Sequence, residues 1–156
     1  MEALCCSESI KKELDDLWVL RESYFDSEKA AKEEMVNSRV ESILRKANEL
    51  KKEGRGFDAF ARGRALDAKL GFDPLAESEL SRAVKLCPND VDAWNALGDV
   101  FWKKKDRSSA ADCFRRACEV RANAVSYRSL SLLSRTDLVE SVSLARSALS
   151  LDASNP

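Results

Sequence analysis

The side chains of this sequence that could carry chemistry suit binding rather than catalysis. The sequence has no histidine, which excludes Ser-His-Asp and Cys-His catalysis and removes the commonest general base. The carboxylate pairs Asp15-Asp16 and Glu33-Glu34 lie in polar helical stretches that are typical of solvated surface. Gly54-Arg55-Gly56 is too short for a phosphate-binding loop and is followed by Phe57. We therefore expect no enzymatic activity and no cofactor.

The five cysteines indicate structural thiols in a reducing compartment. Cys5 and Cys6 are adjacent near the N-terminus, while Cys87, Cys113 and Cys118 lie within helical patterns. An odd number of cysteines without matched spacing is a poor disulfide framework. The separation of Cys113 from Cys118 is not that of zinc ligands, so no metal site is expected and the thiols should pack as small apolar groups.

One short stretch combines an amide, a carboxylate, an aromatic ring and an ammonium group at helical spacing. These groups follow Trp94 by one, five, eight and nine residues: Asn95, Asp99, Trp102 and Lys103. Asn95 can donate and accept hydrogen bonds along the backbone of an extended peptide. Trp102 suits either core packing or contact with a ligand. Lys103 opens a basic run that is usually solvated charge but could touch phosphate or an acidic peptide.

Two arginines further along extend this candidate surface. Arg128 and Arg135 are seven residues apart, so they point the same way on a helix. A guanidinium group facing a groove could pair bidentately with a peptide carboxylate. The alternative is that both are ordinary surface arginines.

The elements that would position these residues follow a repeat pattern. Trp94-x-x-Leu97-Gly98-x-x-Phe101, followed by Ala110-x-x-x-Phe114-x-x-Ala117, is the pattern of a tetratricopeptide repeat, a helix-turn-helix of about 34 residues. Gly98 lacks a side chain where the second helix must cross closely, with Ala110 as its small counterpart. Such helix pairs stack so that their first helices line a concave groove, which is where the group after Trp94 would lie.

Helical patterning continues over the whole sequence and predicts an all-α solenoid of antiparallel helix pairs. We expect an N-terminal helical hairpin over 1–55, a first repeat over 56–90, a second over 91–124 and a degenerate third over 125–156. In the first repeat, Asp73 and Pro74 form the start of a helix. In the third, helices are expected at about 124–134 and 136–151. Four apolar residues near the end lack a partner: Leu138, Val142, Leu149 and Leu151. Either the array is incomplete at Pro156, which is the expectation, or this face meets a partner.

The N-terminal hairpin is predicted from two further patterns. Its first helix should cover about 9–25, with Ser7 or Ser9 as the N-terminal cap and one apolar face: Ile10, Leu14, Leu17, Trp18 and Phe25. Its second helix should cover about 27–53. The apolar residues of that helix alternate steps of four and three, which is the pattern of two helices packed lengthwise: Val36, Val40, Ile43, Ala47 and Leu50. Gly54 and Gly56 are expected to end the hairpin.

Charge and composition limit the partners. The formal net charge is −1, and 34% of the residues are charged. Because neither positive nor negative charge dominates, direct sequence-specific binding to nucleic acid is not expected. There is no apolar run of about 18 residues and no secretory signal, so membrane association is not expected either. The sequence suits a soluble protein of the cytoplasm, with the nucleus as a second compartment.

Several segments outside the generic pattern resemble one group of repeat proteins. The likeness spans 17–151, and its carriers are 21–25, 63–66, 76–80, 82–88, 93–104 and 125–131. Generic repeats share Trp94, Leu97 and Gly98, but they do not share Trp102-Lys103-Lys104 or the irregular third repeat. The sequence therefore resembles the tetratricopeptide-repeat family of nascent-tubulin recognition factors.

The resemblance implies a function and roles for residues. Such factors hold the first residues of newly made tubulin (Met-Arg-Glu and a fourth residue) at the ribosome, and trigger decay of tubulin mRNA through an adaptor of the mRNA-decay machinery. Arg135 matches the family's groove arginine, while Arg82 and Lys85 match basic positions suited to ribosomal RNA. The family has also been described as a nuclear stress-responsive transcription cofactor that binds a coactivator. Its members continue into further repeats and an OB-fold domain, and these further repeats carry the acidic residues that face the tubulin arginine, so weak or no peptide binding is expected of this sequence alone.

Two other functions are known uses of repeat arrays of this kind. A co-chaperone that grips a C-terminal carboxylate needs Lys where Asn95 stands and Asn where Asp99 stands. A carboxylate at position 99 would repel such a ligand, which disfavours this alternative. A transcription-cofactor scaffold remains open.

Overall fold

Every described element of the chain is an α-helix, as the sequence pattern predicts. The computed structural model describes residues 2–23, 29–49, 56–134 and 138–153. Within them lie α1 (Glu2–Glu22), α2 (Lys29–Glu49), α3 (Phe57–Asp67), α4 (Pro74–Leu86), α5 (Val91–Lys103), α6 (Arg107–Val120), α7 (Ala124–Leu133) and α8 (Leu138–Ala153). Successive helices pack in pairs, α1 with α2, α3 with α4, α5 with α6 and α7 with α8. The all-α prediction is confirmed, and the pairs are those of a tetratricopeptide-type repeat.

The chain is divided into two compact units, with the boundary between Pro88 and Asn89. In the first unit, α1 and α2 pack lengthwise through a buried apolar seam: Ile10, Leu14, Leu17, Val36, Val40, Ile43 and Ala47. These are the residues that the periodicity of the sequence places on the inner faces. Phe25 and Leu50, expected to extend the two faces, lie outside the described residues.

The ends of the N-terminal hairpin correct two expectations. Helix α1 begins at Glu2, so Ser7 and Ser9 lie inside it and neither is its cap. The reason is local, because Glu, Ala and Leu at positions 2–4 are good helix formers and no breaker stops the helix before Ser9. Gly56 is the N-cap of α3 with φ of 101°, and the described part of α2 stops at Glu49, so the expected end of the hairpin at Gly54 and Gly56 stays a prediction. Gly54 lies outside the described residues.

In the rest of the first unit, α3 and α4 cross closely through a glycine. A Cβ atom on Gly63 would lie 2.5 Å from Leu80 Cγ, so only glycine lets the two helices approach this far. Asp73 caps α4, its side chain accepting a hydrogen bond from the backbone N–H of Leu75 at 2.9 Å, and Pro74 follows at the first helical position. The predicted helix start is confirmed.

The second unit repeats the same arrangement around a core between α6 and α7. Its buried cluster consists of Ala110, Phe114, Leu130 and Leu133, with Phe101 from α5 and Leu144 from α8 packed against it. The predicted close crossing at Gly98 is confirmed, since a Cβ atom there would lie 2.6 Å from Phe114 Cε1. The contact is made by the Phe114 ring rather than by Ala110. Asp90, Asp106 and Asn123 cap the first three helices of the unit.

The last helix of the unit exposes part of its apolar surface. Val142 and Leu149 are 43% and 69% exposed, while Ala148 is buried. The backbone bounds of α7 and α8 agree with the expected helices to within about two residues at each end that the structure describes.

Candidate functional site

Helix α5 presents Trp102 to solvent although its other large apolar residues face inward. Leu97 and Val100 are 4% and 1% exposed, whereas Trp102 is 43% exposed. The periodicity of the helix explains the difference, because the buried residues follow the stripe that faces α6 and Trp102 falls beside it. An indole this exposed is not a core residue of the described structure, and its contact with a ligand stays a prediction.

Asp99 and Lys103 flank Trp102 on neighbouring turns of α5, and both are half-buried. Lys104 lies over the Phe101 ring, with its ammonium nitrogen 5.8 Å from the ring centroid. The C-terminal half of α5 therefore carries a carboxylate, an indole and an ammonium group within about one and a half turns. This group is called the α5 surface below and consists of Asp99, Trp102 and Lys103.

Asn95, in contrast, is not on this surface. It is 8% exposed, and both polar atoms of its side chain face α7. Its Oδ1 accepts a hydrogen bond from the hydroxyl of Ser126, and its Nδ2 donates to Asn123 Oδ1 at 3.4 Å. The structure therefore places the predicted peptide contact inside a network between α5 and α7.

Of the two arginines that were predicted to bind peptide, the structure describes Arg128 but not Arg135. Arg128 on α7 is exposed, and its Nη2 lies 3.0 Å from Asp152 Oδ2 on α8. Both partners are more than half exposed, so this ion pair is weak and can exchange for another carboxylate. Arg135 lies outside the described residues, and its role in peptide binding stays a prediction.

The two basic residues expected to contact the ribosome lie on α4, in the first unit. Arg82 and Lys85 are exposed and three residues apart, hence on the same face of the helix. Arg82 is already engaged, with its guanidinium 3.6 Å from Asp58 Oδ2 and 3.8 Å from Glu79 Oε2. Lys85 is the more open cation of the pair.

Sequence reasoning missed the buried arginine that organises these carboxylates. Arg62 is 7% exposed and donates to Glu79 at 2.9 Å, to Asp58 at 3.2 Å and to Asn48 at 3.3 Å. Burial lowers its pKa, but the hydrogen bond and the charge of Glu79, together with those of Asp58, outweigh burial and raise it. The network links α2, α3 and α4, and no local pattern could reveal it because its members come from three helices.

The thiols of the second unit are poor nucleophiles. Burial, with the charges of Asp112 and Asp106, raises the pKa of Cys113 to about 12. Burial also raises the pKa of Cys118. Among the residues that the structure describes, no group of three or more cysteine, aspartate and glutamate side chains could hold a metal ion.

An open cleft of about 700 Å³ lies at the other end of α5 from Trp102. It is lined by residues 89–92 and by the C-terminal part of α6: Arg116, Glu119, Val120 and Arg121. Its charged groups include both signs, so it favours neither an anionic nor a cationic ligand. The cleft does not coincide with the α5 surface and adds nothing to it.

Comparison with known proteins gives a consistent result. No protein-family model matches the chain. Tetratricopeptide repeat protein 5 from Bos taurus and from Homo sapiens are each 34% identical to it over 134 residues, or 82% of the chain. The Mus musculus protein of that name is 36% identical over 128 residues, or 78% of the chain.

The match covers only part of those relatives. The chain spans 30% of the Bos taurus protein and 29% of the Mus musculus protein. The similarity supports a tetratricopeptide-type adaptor. Separately, no helix within the described residues is long and apolar enough to cross a membrane. The chain is a partial homologue of tetratricopeptide repeat protein 5.

Proposed function

We propose that the chain is a peptide-binding adaptor that recognises the N-terminus of nascent tubulin at the ribosome and promotes decay of the tubulin mRNA. The observation that carries peptide binding is the exposure of Trp102, 43% of whose surface is open to solvent beside Asp99 and Lys103. Large exposed aromatic residues flanked by charge are typical of protein-binding surfaces.

Tubulin is the partner that the resemblance implies. The homology to tetratricopeptide repeat protein 5 extends over 82% of the chain, and the segments 93–104 and 125–131 are among those that resemble the nascent-tubulin recognition factors. Arg128, whose present partner Asp152 is exposed, offers a second guanidinium for the acidic residue of Met-Arg-Glu. The negative charge of Asp99 disfavours a terminal carboxylate at that point, which supports an N-terminal rather than a C-terminal ligand.

The ribosome is the second proposed partner, through Arg82 and Lys85 on α4. Lys85 is the better candidate for a phosphate contact, because Arg82 lies within 4 Å of two carboxylates that would repel the RNA backbone. The proposed place of action is the cytoplasm, where translating ribosomes and mRNA-decay machinery are found.

The test is recovery of ribosomes that display nascent tubulin, using the chain as bait at a concentration high enough to detect the weak peptide binding that is expected of this sequence. We expect Trp102→Ala and Arg135→Ala each to reduce recovery several-fold. The matched control is Leu75→Ala, which removes an apolar side chain that is 64% exposed but lies in the first unit. Equal recovery by all four proteins would contradict the proposal, and recovery of a transcription coactivator without ribosomes would favour the cofactor-scaffold alternative.

A further inference from the structure

We propose that Asn95 is a positioning residue, which fixes the first turn of α7 against α5 and so sets the spacing between the α5 surface and Arg128. This inference rests on the proposed function, because it concerns how the same peptide-binding surface is held. It assigns Asn95 a role different from the direct peptide contact that its spacing from Trp94 suggests.

The geometry of the network is the first argument. Asn123 caps α7, its Oδ1 accepting the backbone N–H of Ser126 at 2.9 Å, and its Nδ2 donates to the backbone carbonyl of Arg121 at 2.9 Å. Ser126 is fully buried in the first turn of α7. Asn95 reaches this cap from α5 and contacts both Asn123 and Ser126.

The proton positions are the second argument. Asn123 Oδ1 must be an acceptor, because it receives a backbone N–H, so the group of Asn95 that faces it must be the amide nitrogen. Asn95 Oδ1 is then left to accept the single hydroxyl proton of Ser126. Ser126 Oγ also lies 2.8 Å from Asn123 Oδ1, but it has no second proton to donate. The amides of Asn95 and Asn123 therefore each have one orientation that satisfies this network, and the hydroxyl of Ser126 lies within hydrogen-bond distance of both.

Comparison of the two helices is the third argument. The caps Asp90 and Asn123 align α5 with α7 and make Arg128 the counterpart of Asn95. The side chain of Arg128 is 61% exposed, whereas Asn95 is 8% exposed. On α7 this position, held by Arg128, faces outward. On α5 the same position, held by Asn95, is covered by the residues of the α7 cap.

The network affects peptide binding through the relative position of α5 and α7. Helix α5 carries Asp99, Trp102 and Lys103, while α7 carries Arg128 near the same cap. A peptide that contacts both helices depends on their relative position, and the hydrogen bonds from Asn95 to Asn123 and Ser126 fix that position. Asn95 thus acts on the ligand through α7 and without touching it.

The experiment compares Ser126→Ala, Asn95→Leu and the double variant in the full chain. One measurement is amide hydrogen exchange in the first turn of α7, and the other is affinity for a labelled peptide beginning Met-Arg-Glu. We expect each single variant to speed exchange about tenfold and to weaken peptide binding by a similar factor. Ser126→Ala leaves the buried Asn95 Oδ1 without a donor, and Asn95→Leu removes both hydrogen bonds that join α5 to the α7 cap. The double variant should lose less than the product of the two, since it removes both ends of one hydrogen bond. Ser108→Ala, at an exposed site on α6, is the control and should change neither.

The outcomes separate the alternatives. If Asn95 touches the peptide directly, Asn95→Leu weakens binding while Ser126→Ala does not, and the inference is wrong. Unchanged exchange in both variants, or faster exchange with unchanged affinity, also overturns it. If the unsubstituted chain does not bind the peptide, the proposed function fails, while the exchange rates still decide whether Asn95 and Ser126 hold α7.

Discussion

Single residues in this chain take their roles from neighbours on other helices. Asn95 and Arg128 occupy equivalent positions on α5 and α7, yet one is buried in a cap network and the other is paired with Asp152 at the surface. Arg82, which the resemblance suggests for contact with ribosomal RNA, lies close to Asp58 and Glu79. The side-chain type limits what each residue can do, and its neighbours decide which of these uses it has.

The turn between α5 and α6 contains a residue whose backbone suits a different side chain. Lys105 has φ of 67°, and its N–H bonds to the carbonyl of Trp102 while that of Asp106 bonds to Phe101. This is the Schellman motif, in which the left-handed residue is usually glycine.

We expect Lys105→Gly to stabilise the chain by up to about 1 kcal/mol. The left-handed conformation costs a residue with a Cβ atom about 1–2 kcal/mol, and the greater freedom of glycine in the unfolded state offsets about 0.5–1 kcal/mol of that gain. The midpoint temperature of thermal unfolding should therefore rise by roughly 2–4 °C. The adjacent Lys104, with φ of −66°, provides the control, because glycine there relieves no left-handed backbone, brings the entropic loss and removes the contact with the Phe101 ring, so the midpoint should fall. A lower midpoint for Lys105→Gly than for the unsubstituted chain would show that no strain is stored at this turn.

At the scale of helices, apolar periodicity and capping residues predicted most of the fold. The seam of α1 and α2, the start of α4 at Asp73-Pro74 and the close crossing at Gly98 all follow from local spacing, and the structure confirms them. The predicted start of α1, at about Ser9, was wrong. A capping serine is only one of several ways to begin a helix, and good helix formers precede Ser9 in this sequence. The polar links between helices could not be predicted, since Arg62, Glu79 and Asn48 come from three separate helices.

The crossing of α5 and α6 gives a prediction at this scale. In an exposed helix, Gly→Ala is stabilising by about 1 kcal/mol. At position 98 the added Cβ atom would lie 2.6 Å from the Phe114 ring, and overpacking of this kind costs about 1–3 kcal/mol. We expect Gly98→Ala to be net destabilising, by about 1 kcal/mol, in urea unfolding.

The ring itself provides the control for that prediction. Phe114→Leu, placed in the Gly98→Ala background, should cost less than it does alone, because the smaller side chain makes room for the new methyl group. Additive losses would show that the ring does not limit the approach of the two helices. A gain in stability for Gly98→Ala alone would have the same meaning.

At the scale of the whole molecule, the repeat architecture is what the sequence revealed most clearly. One regular motif at Trp94 and a second at a spacing of about 34 residues were enough to predict helix pairs, because each repeat is a unit with the same internal packing. The candidate site was less predictable. Spacing identified Asp99, Trp102 and Lys103, but the burial of Asn95 depends on the cap of α7, nearly thirty residues further along the chain.

The two compact units, 1–88 and 89–156, each have a buried side chain at the centre of a helix pair. Leu80 is fully buried in the first unit, and Phe114 is 1% exposed in the second. Truncation of such residues to alanine costs about 2–5 kcal/mol. In repeat proteins the stability is close to a sum of local terms, so the loss should concentrate in the unit that contains the substitution. We therefore expect Phe114→Ala to speed amide hydrogen exchange mainly in α5–α8 and Leu80→Ala mainly in α3 and α4, and each variant serves as the control for the other. Equal acceleration of both units by either variant would show that the chain opens as one cooperative body.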